Sequence, residues 1–545
     1  MKRSFVYILL AAAALMQGCS KYLDRAPLSE PSNETFWKSV ADAEAGVNAV
    51  YATLPSSRDF WKDCQSDNSV MTNAWGEGGL GYISMGSQSA ADAYLLEEWK
   101  YDFIYRALNA LDKLREMELD ANLKKRMSAE VRFALAMRYF RMVKHFGDIP
   151  LIRETPVSLE NAALSRSPKQ EVLNYVLQNV DSAVANLPVV YTDAKDMGRV
   201  TKAGALMLRA DVYLYMASYR KFHAGQDEPA LWKAAAQAAQ EVVNMQRYQL
   251  EADYSYLFRH ESNNNNKEVI LAYQYVPNEI VHMLPVLCLP NGCSITGQGW
   301  ASFCPTRDLI DSYECTDGQH IRVSPLYDKA NPWENRDARM KQTFLLPGVP
   351  CLRPDGKFRP YQPHPSYKQP EKMNSEGGGI TGYMYLKFAE PENPNPTRSY
   401  TNFPIYRYAE TWLMLAEALN EYEPANPQIA VAMNEVRKRA GLPVVNALLG
   451  NQAAMREKIR EERRHEFVAE HKRYFDILRW KIAENVLNKP AYGINSEVSD
   501  AVGDWTKPAF LAQNRTFDKT KHYLWPIPES ATDKNKKLLP QNPNW

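Results

Sequence analysis

Residues 203–219, AGALMLRADVYLYMASY, and residues 229–245, PALWKAAAQAAQEVVNM, decide the fold. In both stretches apolar side chains recur every three to four positions, the period of a helix with one buried face. Thr201 stands where an N-cap is expected. Only a short polar turn separates the two, so they are predicted to pack as an antiparallel helical hairpin. The pattern returns at residues 409–422, AETWLMLAEALNEY, followed by 426–441, NPQIAVAMNEVRKRAG, with the same LML and a similar spacing of alanines. Residues 131–146, VRFALAMRYFRMVKHF, read as a further helix, with Ser128 as its expected cap, Gly147 as its stop and Pro150 just beyond. Helical periodicity begins near Asp42 and is frequent up to about residue 246.

Paired helices with small residues where they cross resemble tetratricopeptide units, although generic helix-pair packing gives the same period. Between about 250 and 403 the character changes. Sixteen of the 34 prolines fall between Pro277 and Pro396, Gly377 to Gly379 form a run, and Asn263 to Asn266 form a polar tract. Short β-like pieces, EVILAYQY (268–275) and GYMYLKF (382–388), interrupt it. The expected architecture is all-α dominated: helix pairs with a loop-rich insertion carrying a few short strands. Long ordered loops on a rigid frame are where binding usually resides.

The chain opens with MKRSFVYILLAAAALMQG and then Cys19. Lys2 and Arg3 precede an apolar run of about a dozen residues, the length of a signal-peptide core and too short to span a bilayer. Small Gly18 before Cys19 makes the segment similar to the lipobox of a bacterial lipoprotein. That likeness implies cleavage before Cys19 and attachment of outer-membrane lipid to it; two or three acyl chains hold a protein stably. Residues 20–35, SKYLDRAPLSEPSNET, read as a polar tether.

Removing Lys2 and Arg3 with the leader takes the formal charge from +1 to about −1. No basic excess points to nucleic acid. Tyr and Trp are frequent (31 and 12), which suits wet binding surfaces and helical cores alike. Six cysteines follow Cys19, four of them (Cys288, Cys293, Cys304, Cys315) close together. No C-x-x-C occurs, so no structural zinc site is expected. Outside the cytoplasm, one local disulfide in that stretch and none are equally compatible with the spacing. The remaining cysteines are expected as small buried side chains.

Motifs for catalysis do not assemble. Gly76, Gly78 and Gly81 match G-x-G-x-x-G, but no βαβ pattern surrounds them, so an aromatic-flanked loop is the better account. In RHEFVAEHKR (464–473) the two histidines, His465 and His471, lie six apart, about 240° around a helix, and cannot chelate one ion from one face. The expectation there is a solvated charged face, with Glu470 and Arg473 on it. No carboxylate pair stands out for glycoside hydrolysis. No catalytic residue, metal ligand or cofactor site is assigned.

Taken in order, many segments resemble the SusD/RagB family of outer-membrane nutrient-binding lipoproteins. They run from YLDRAP after Cys19 and TFWKSVADAEAGVNAVY through AEVRFALAMRYFRMVKHFGDIPL, RVTKAGALMLRADVYLY and NKEVILAYQY. The likeness is strongest in FPIYRYAETWLMLAEALNE, NEVRKRAGLP and IREERRHEFVAEHKRYFDILRW, and it ends in YLWPIPESATDKNKKLLPQNPNW. The resemblance implies a helical fold around four tetratricopeptide-like pairs. It implies non-catalytic capture of glycan at the outer membrane, facing the cell exterior, and delivery to a TonB-dependent (SusC-like) transporter. It also implies that Glu130, Arg138, Arg407, Glu410, Glu417, Arg437, Arg439, Glu462, Arg473 and Asp476 are packing or ion-pair residues. Two segments match the family's ligand loops by position, NAWGEGGLGY (73–82) and NGCSITGQGWASFCPT (291–306). They make Asn73, Trp75, Tyr82 and Trp300 the candidate ligand residues. The implied organisation is a signal peptide at 1–18, a tether at 19–35, helical regions at 36–250 and 404–545 packed as one unit, and the ligand-binding insertion at 251–403. A surface glycoside hydrolase and a protein-binding adhesion lipoprotein are the competing readings.

Overall fold

The computed structural model describes residues 36–73, 76–497, 504 and 506–545. The leader, Cys19, the tether and Trp75 lie outside the described residues. Helix α1 (Val40–Tyr51) starts in a capping box in which Ser39 and Asp42 each satisfy the other's backbone N–H. Then come α2 (Tyr101–Glu116), α3 (Ala121–Phe146), α4 (Lys169–Asn186), α5 (Lys202–Ser218) and α6 (Pro229–Asn244). From α2 onward each packs on its successor.

Helix α3 begins about two turns before the expected Ser128. Asp120 caps it, its carboxylate accepting from the N–H groups of Asn122 (3.0 Å) and Leu123 (2.9 Å). The polar first turns carry no apolar stripe, so periodicity alone does not mark them. Gly147 does end the helix, at φ +71°. Thr201 occupies the N-cap position of α5, but its side chain makes no capping bond.

Small residues let the helices approach closely. Helix α6 buries Ala235, Ala236, Ala238 and Ala239 beside Trp232. It packs both on α5 and on α7 (Tyr408–Tyr422), which begins only after the whole insertion. Helix α7 in turn packs on α8 (Gln428–Arg439) and α9 (Gln452–Glu466). The stack of helix pairs therefore continues across the insertion, with one large hydrophobic core running through it.

Strands are short and pair two by two. The antiparallel ribbon of β2 (Val269–Tyr273) and β6 (Phe403–Arg407) brings the two ends of the insertion together. The pair β1 (Ser69–Met71) and β3 (Phe303–Pro305) ties the N-terminal part to the insertion. Strands β4 (Pro350–Leu352) and β5 (Phe358–Pro360) form a hairpin within it. Among the described residues no helix is long and apolar enough to cross a membrane.

The segment 464–473 is not a solvated face. His465, Glu466, Glu470, His471 and Arg473 are all buried. Arg407, at the end of β6, sends Nη1 to Glu268 (2.7 Å) and to Glu466, and Nε to Glu470 (2.8 Å). Arg439 bonds Glu268 (2.7 Å) and Glu466. Arg339 reaches Glu462 and Glu466 (2.7 Å each), and Lys387 reaches Glu470 (2.7 Å). Burial alone would raise the Glu466 carboxyl, but Arg439, Arg407 and Arg339 override it and hold the group well below the ordinary carboxylate range. Buried charges survive only when paired, and this network pins the insertion to α8 and α9. The other family-matched charges are likewise buried in ion pairs: Glu130 with Arg126 and Arg199, Arg473 with Asp67, Arg479 with Glu417 and Asp476.

Candidate ligand-binding site

The β1–β3 ribbon sets the geometry. Met71 stands opposite Phe303, and one step on the Thr72 N–H donates to the Ser302 carbonyl at 3.0 Å. The Thr72 hydroxyl donates to the Ala301 carbonyl as well. The ribbon thereby delivers Asn73, which is exposed, beside the segment that carries Trp300. Trp300 is 52% exposed, an unusual state for the largest apolar side chain.

The Trp300 loop is held from below. The N–H groups of Trp300, Ala301 and Ser302 donate to the carbonyls of Val286, Leu289 and Leu287 at 2.7–2.9 Å. Ala301 is fully buried and adopts φ +46°, a conformation an alanine occupies at a cost. Gly299 passes so close to Pro290 that a Cβ there would lie 2.3 Å from its carbonyl oxygen, so only glycine fits. The glycine run joins the same cluster, with Asn291 N–H donating to Gly377 O at 2.8 Å. Tyr82 lies at the far end of its loop on the short helix Gly81–Met85, half-buried, its ring over Gly79 beside Tyr94. The segments that carry Asn73 and Trp300 are thus joined through Thr72, and Trp75 falls outside the described residues. The glycines at 76, 78 and 81 sit in a short turn and that five-residue helix, without a βαβ unit.

Further exposed aromatics were not singled out from the sequence. Phe358 on β5 is 68% exposed, and Tyr367 and Tyr492 are also open to solvent. Tyr367 lines a cleft of about 490 Å³ with Trp333, Tyr361 and His364. A second cleft, of about 700 Å³, is lined by Arg307, Asp308, Asp311, Lys489, Tyr492 and Arg515.

The histidine-based metal reading stays unsupported by geometry. His465 is stacked on Tyr313 and lies 3.0 Å from Ser312 Oγ, whereas His471 lies past the end of α9, 3.6 Å from Asp59. Burial depresses both rings, His471 to about 4. One trio among the described residues, His260, Glu261 and Glu390, offers ligand atoms within 4.8 Å of one another. Glu390 there already accepts from His260 and Ser399.

Two family models match the chain. One, described as the SusD family, matches residues 254–545. The other, described as starch-binding and associating with the outer membrane, matches residues 21–214. SusD-like protein P2 from Formosa agariphila is 25% identical over 564 aligned positions, covering 100% of this chain and 99% of its own. Two solved structures from Bacteroides fragilis are also similar. A SusD-like protein has a TM-score of 0.81 at 25% identity, covering 96% of this chain and all of its own. A SusD-like carbohydrate-binding protein has a TM-score of 0.82 at 26% identity, covering 93% of this chain and all of its own. With a family model spanning more than half its length and the same helix-pair architecture throughout, this chain belongs to the SusD family.

Proposed function

We propose that the protein is a non-catalytic, lipid-anchored receptor that captures oligo- or polysaccharide at the outer-membrane surface and passes it to a TonB-dependent transporter. The observation that carries the reading is Trp300, exposed on a braced loop whose next residues, Ala301 and Ser302, bond Thr72, the residue before exposed Asn73. An aromatic face stacks on the apolar C–H face of a pyranose, and an amide both donates to and accepts from its hydroxyls. Trp75 and Tyr82 are the further proposed ligand residues. The family description as starch-binding and associated with the outer membrane supports the ligand class and the location. The similar Bacteroides fragilis protein described as carbohydrate-binding supports the ligand class as well. Cys19 is the proposed lipid attachment.

Affinity electrophoresis against a glycan panel tests the reading. Wild type is expected to be retarded by at least one glycan without releasing reducing ends. Trp300→Ala is expected to weaken that binding about fivefold or more, the equivalent of roughly 1 kcal/mol of stacking, with unchanged melting. Normal binding by both Trp300→Ala and Trp75→Ala, with wild-type melting, overturns the site.

One observation favours the hydrolase alternative. Asp308 and Asp311 share the 700 Å³ cleft, and burial pushes the Asp311 carboxyl up to about 6 despite Arg307 beside it. Asp311→Asn separates the readings: turnover that disappears in this variant establishes the enzyme, and binding without turnover in both proteins establishes the receptor.

A further inference from the structure

We propose that Cys293 and Cys351 form a disulfide that fastens the Trp300 loop to the β4–β5 hairpin. Their Sγ atoms lie 2.6 Å apart, well inside non-bonded sulfur contact. This pairing differs from a local bridge within 288–315, because Cys351 comes from β4. The other four thiols have other surroundings, although Cys304 lies in the same apolar cluster. Cys288 Sγ faces the Lys387 carbonyl, Cys304 Sγ lies against Thr72 and Ala301, and Cys64 and Cys315 are buried. Cys293 and Cys351 share a small apolar cluster with Val70, Cys304, Ala301 and Tyr361, so the bridge would sit in the same cluster as Ala301, the residue after Trp300.

The surroundings suit thiol chemistry. Arg353 places Nη1 3.6 Å from Cys293 Sγ and 3.3 Å from the Gly292 carbonyl, and Nη2 2.7 Å from Glu371. A guanidinium beside a thiol pair stabilises the thiolate that attacks. The contact with Cys293 and the Arg353 guanidinium hold the Cys351 thiol below its ordinary value against burial, while burial and the same contact push the Cys293 thiol up.

The oxidant is an oxidised dithiol protein of the extracytoplasmic compartment. The Cys351 thiolate attacks one sulfur of that protein's disulfide, giving a mixed disulfide and one released thiolate. The Cys293 thiolate then attacks the Cys351 sulfur and releases the second. The chain's two thiols lose two electrons and two protons, and the oxidant's disulfide gains them. Both cysteines are buried in the folded chain, so the exchange takes place as the loop docks. The bridge spans 58 positions and restricts the unfolded chain while fixing the loop seven residues before Trp300. The inference rests on the proposed export and outer-membrane location, but not on glycan binding.

The test uses the full chain, expressed with its own leader, denatured without reductant in the presence of an alkylating reagent, and mapped by peptide mass. Peptides bearing Cys293 and Cys351 are expected to emerge joined, with Cys64, Cys288, Cys304 and Cys315 alkylated. Reductant is expected to free the pair and lower the melting temperature by several degrees. Cys293→Ser, Cys351→Ser and the double variant are expected to share that lower value and to lose nothing further on reduction. Alkylated Cys293 and Cys351 in unreduced envelope protein overturn the proposal, as does Cys293 joined to any other cysteine. Where the serine variants fail to fold, the wild-type peptide map decides. A joined pair in a protein that retains no glycan leaves the disulfide standing and removes the receptor reading alone.

Discussion

Thr72 is bonded twice to the strand opposite, by its N–H to Ser302 at 3.0 Å and by its hydroxyl to Ala301. The two candidate loops are therefore fixed to each other at Thr72. Preorganisation of this kind lowers the entropic cost of binding. Thr72→Val keeps the shape and removes the hydroxyl bond, at an expected cost of about 1 kcal/mol in stability. Glycan affinity is expected to fall several-fold through positioning alone, because the substituted side chain is not one of the proposed sugar contacts. Urea unfolding together with affinity electrophoresis checks both effects. Unchanged affinity with the expected loss of stability would show that the loops find their relative positions without this bond.

The Arg407 network gives a sharper prediction about folding. Arg407→Met removes the cation shared by Glu268, Glu466 and Glu470 and leaves three buried carboxylates short of a partner. Breaking one side of a buried ion network costs about 3–5 kcal/mol. The exposed pair Lys341–Glu334, at 2.6 Å, is worth roughly 0–1 kcal/mol, because water screens it. Arg407→Met is therefore expected to lower the urea midpoint strongly and Lys341→Ala barely at all. Equal effects would refute the assignment of this network as the anchor of the insertion.

Acid is expected to destabilise the protein in a definite window. Burial lowers His145 to about 3 and His471 to about 4. A histidine depressed in the fold contributes stability that is complete above its unfolded value of about 6.5. That contribution is lost as pH falls through the folded values. Asp63, pushed up to about 6 by burial, acts in the opposite sense and softens the slope. Calorimetry is expected to give a fall in melting temperature as pH drops from 6.5 to 4. His471→Asn is expected to flatten part of that fall. A melting temperature that holds constant down to pH 4 would contradict it.

The helix pairs were legible because α5, α6, α7 and α8 each display their buried face locally in the sequence. The start of α3 was not, since its first turns bury little and its cap, Asp120, is one polar residue among several. The buried charges of 464–473 misled for a related reason. Arg407 and Glu466 lie 59 positions apart, and Glu268 lies further still, so nothing local shows that these charges satisfy one another. Trp300 is proposed only through the likeness of its segment to a family ligand loop, which exposure of the ring at 52% accompanies. Phe358 and Tyr361 could not be told apart: they lie three residues apart in one hairpin, the first 68% exposed and the second wholly buried. Exposure of a ring is set by what packs above it, which sequence does not display.

The last prediction concerns the partner. A tethered receptor concentrates a saccharide at the surface, but among its described residues no helix is long and apolar enough to cross a membrane. The proposed reading assigns uptake of the captured glycan to a second protein that forms a path. Anchoring through Cys19 would confine both proteins to one plane and raise their effective concentration, so a weak intrinsic contact suffices. An affinity-tagged chain extracted in mild detergent is expected to bring down a β-barrel of transporter size in near-equal amount. Cys19→Ala is expected to release the chain from the membrane fraction and to reduce that recovery, because the contact must then form from bulk solution. Recovery of the wild-type chain alone, under several mild detergents and with crosslinking, would remove the transporter from the mechanism and favour a stand-alone adhesion role.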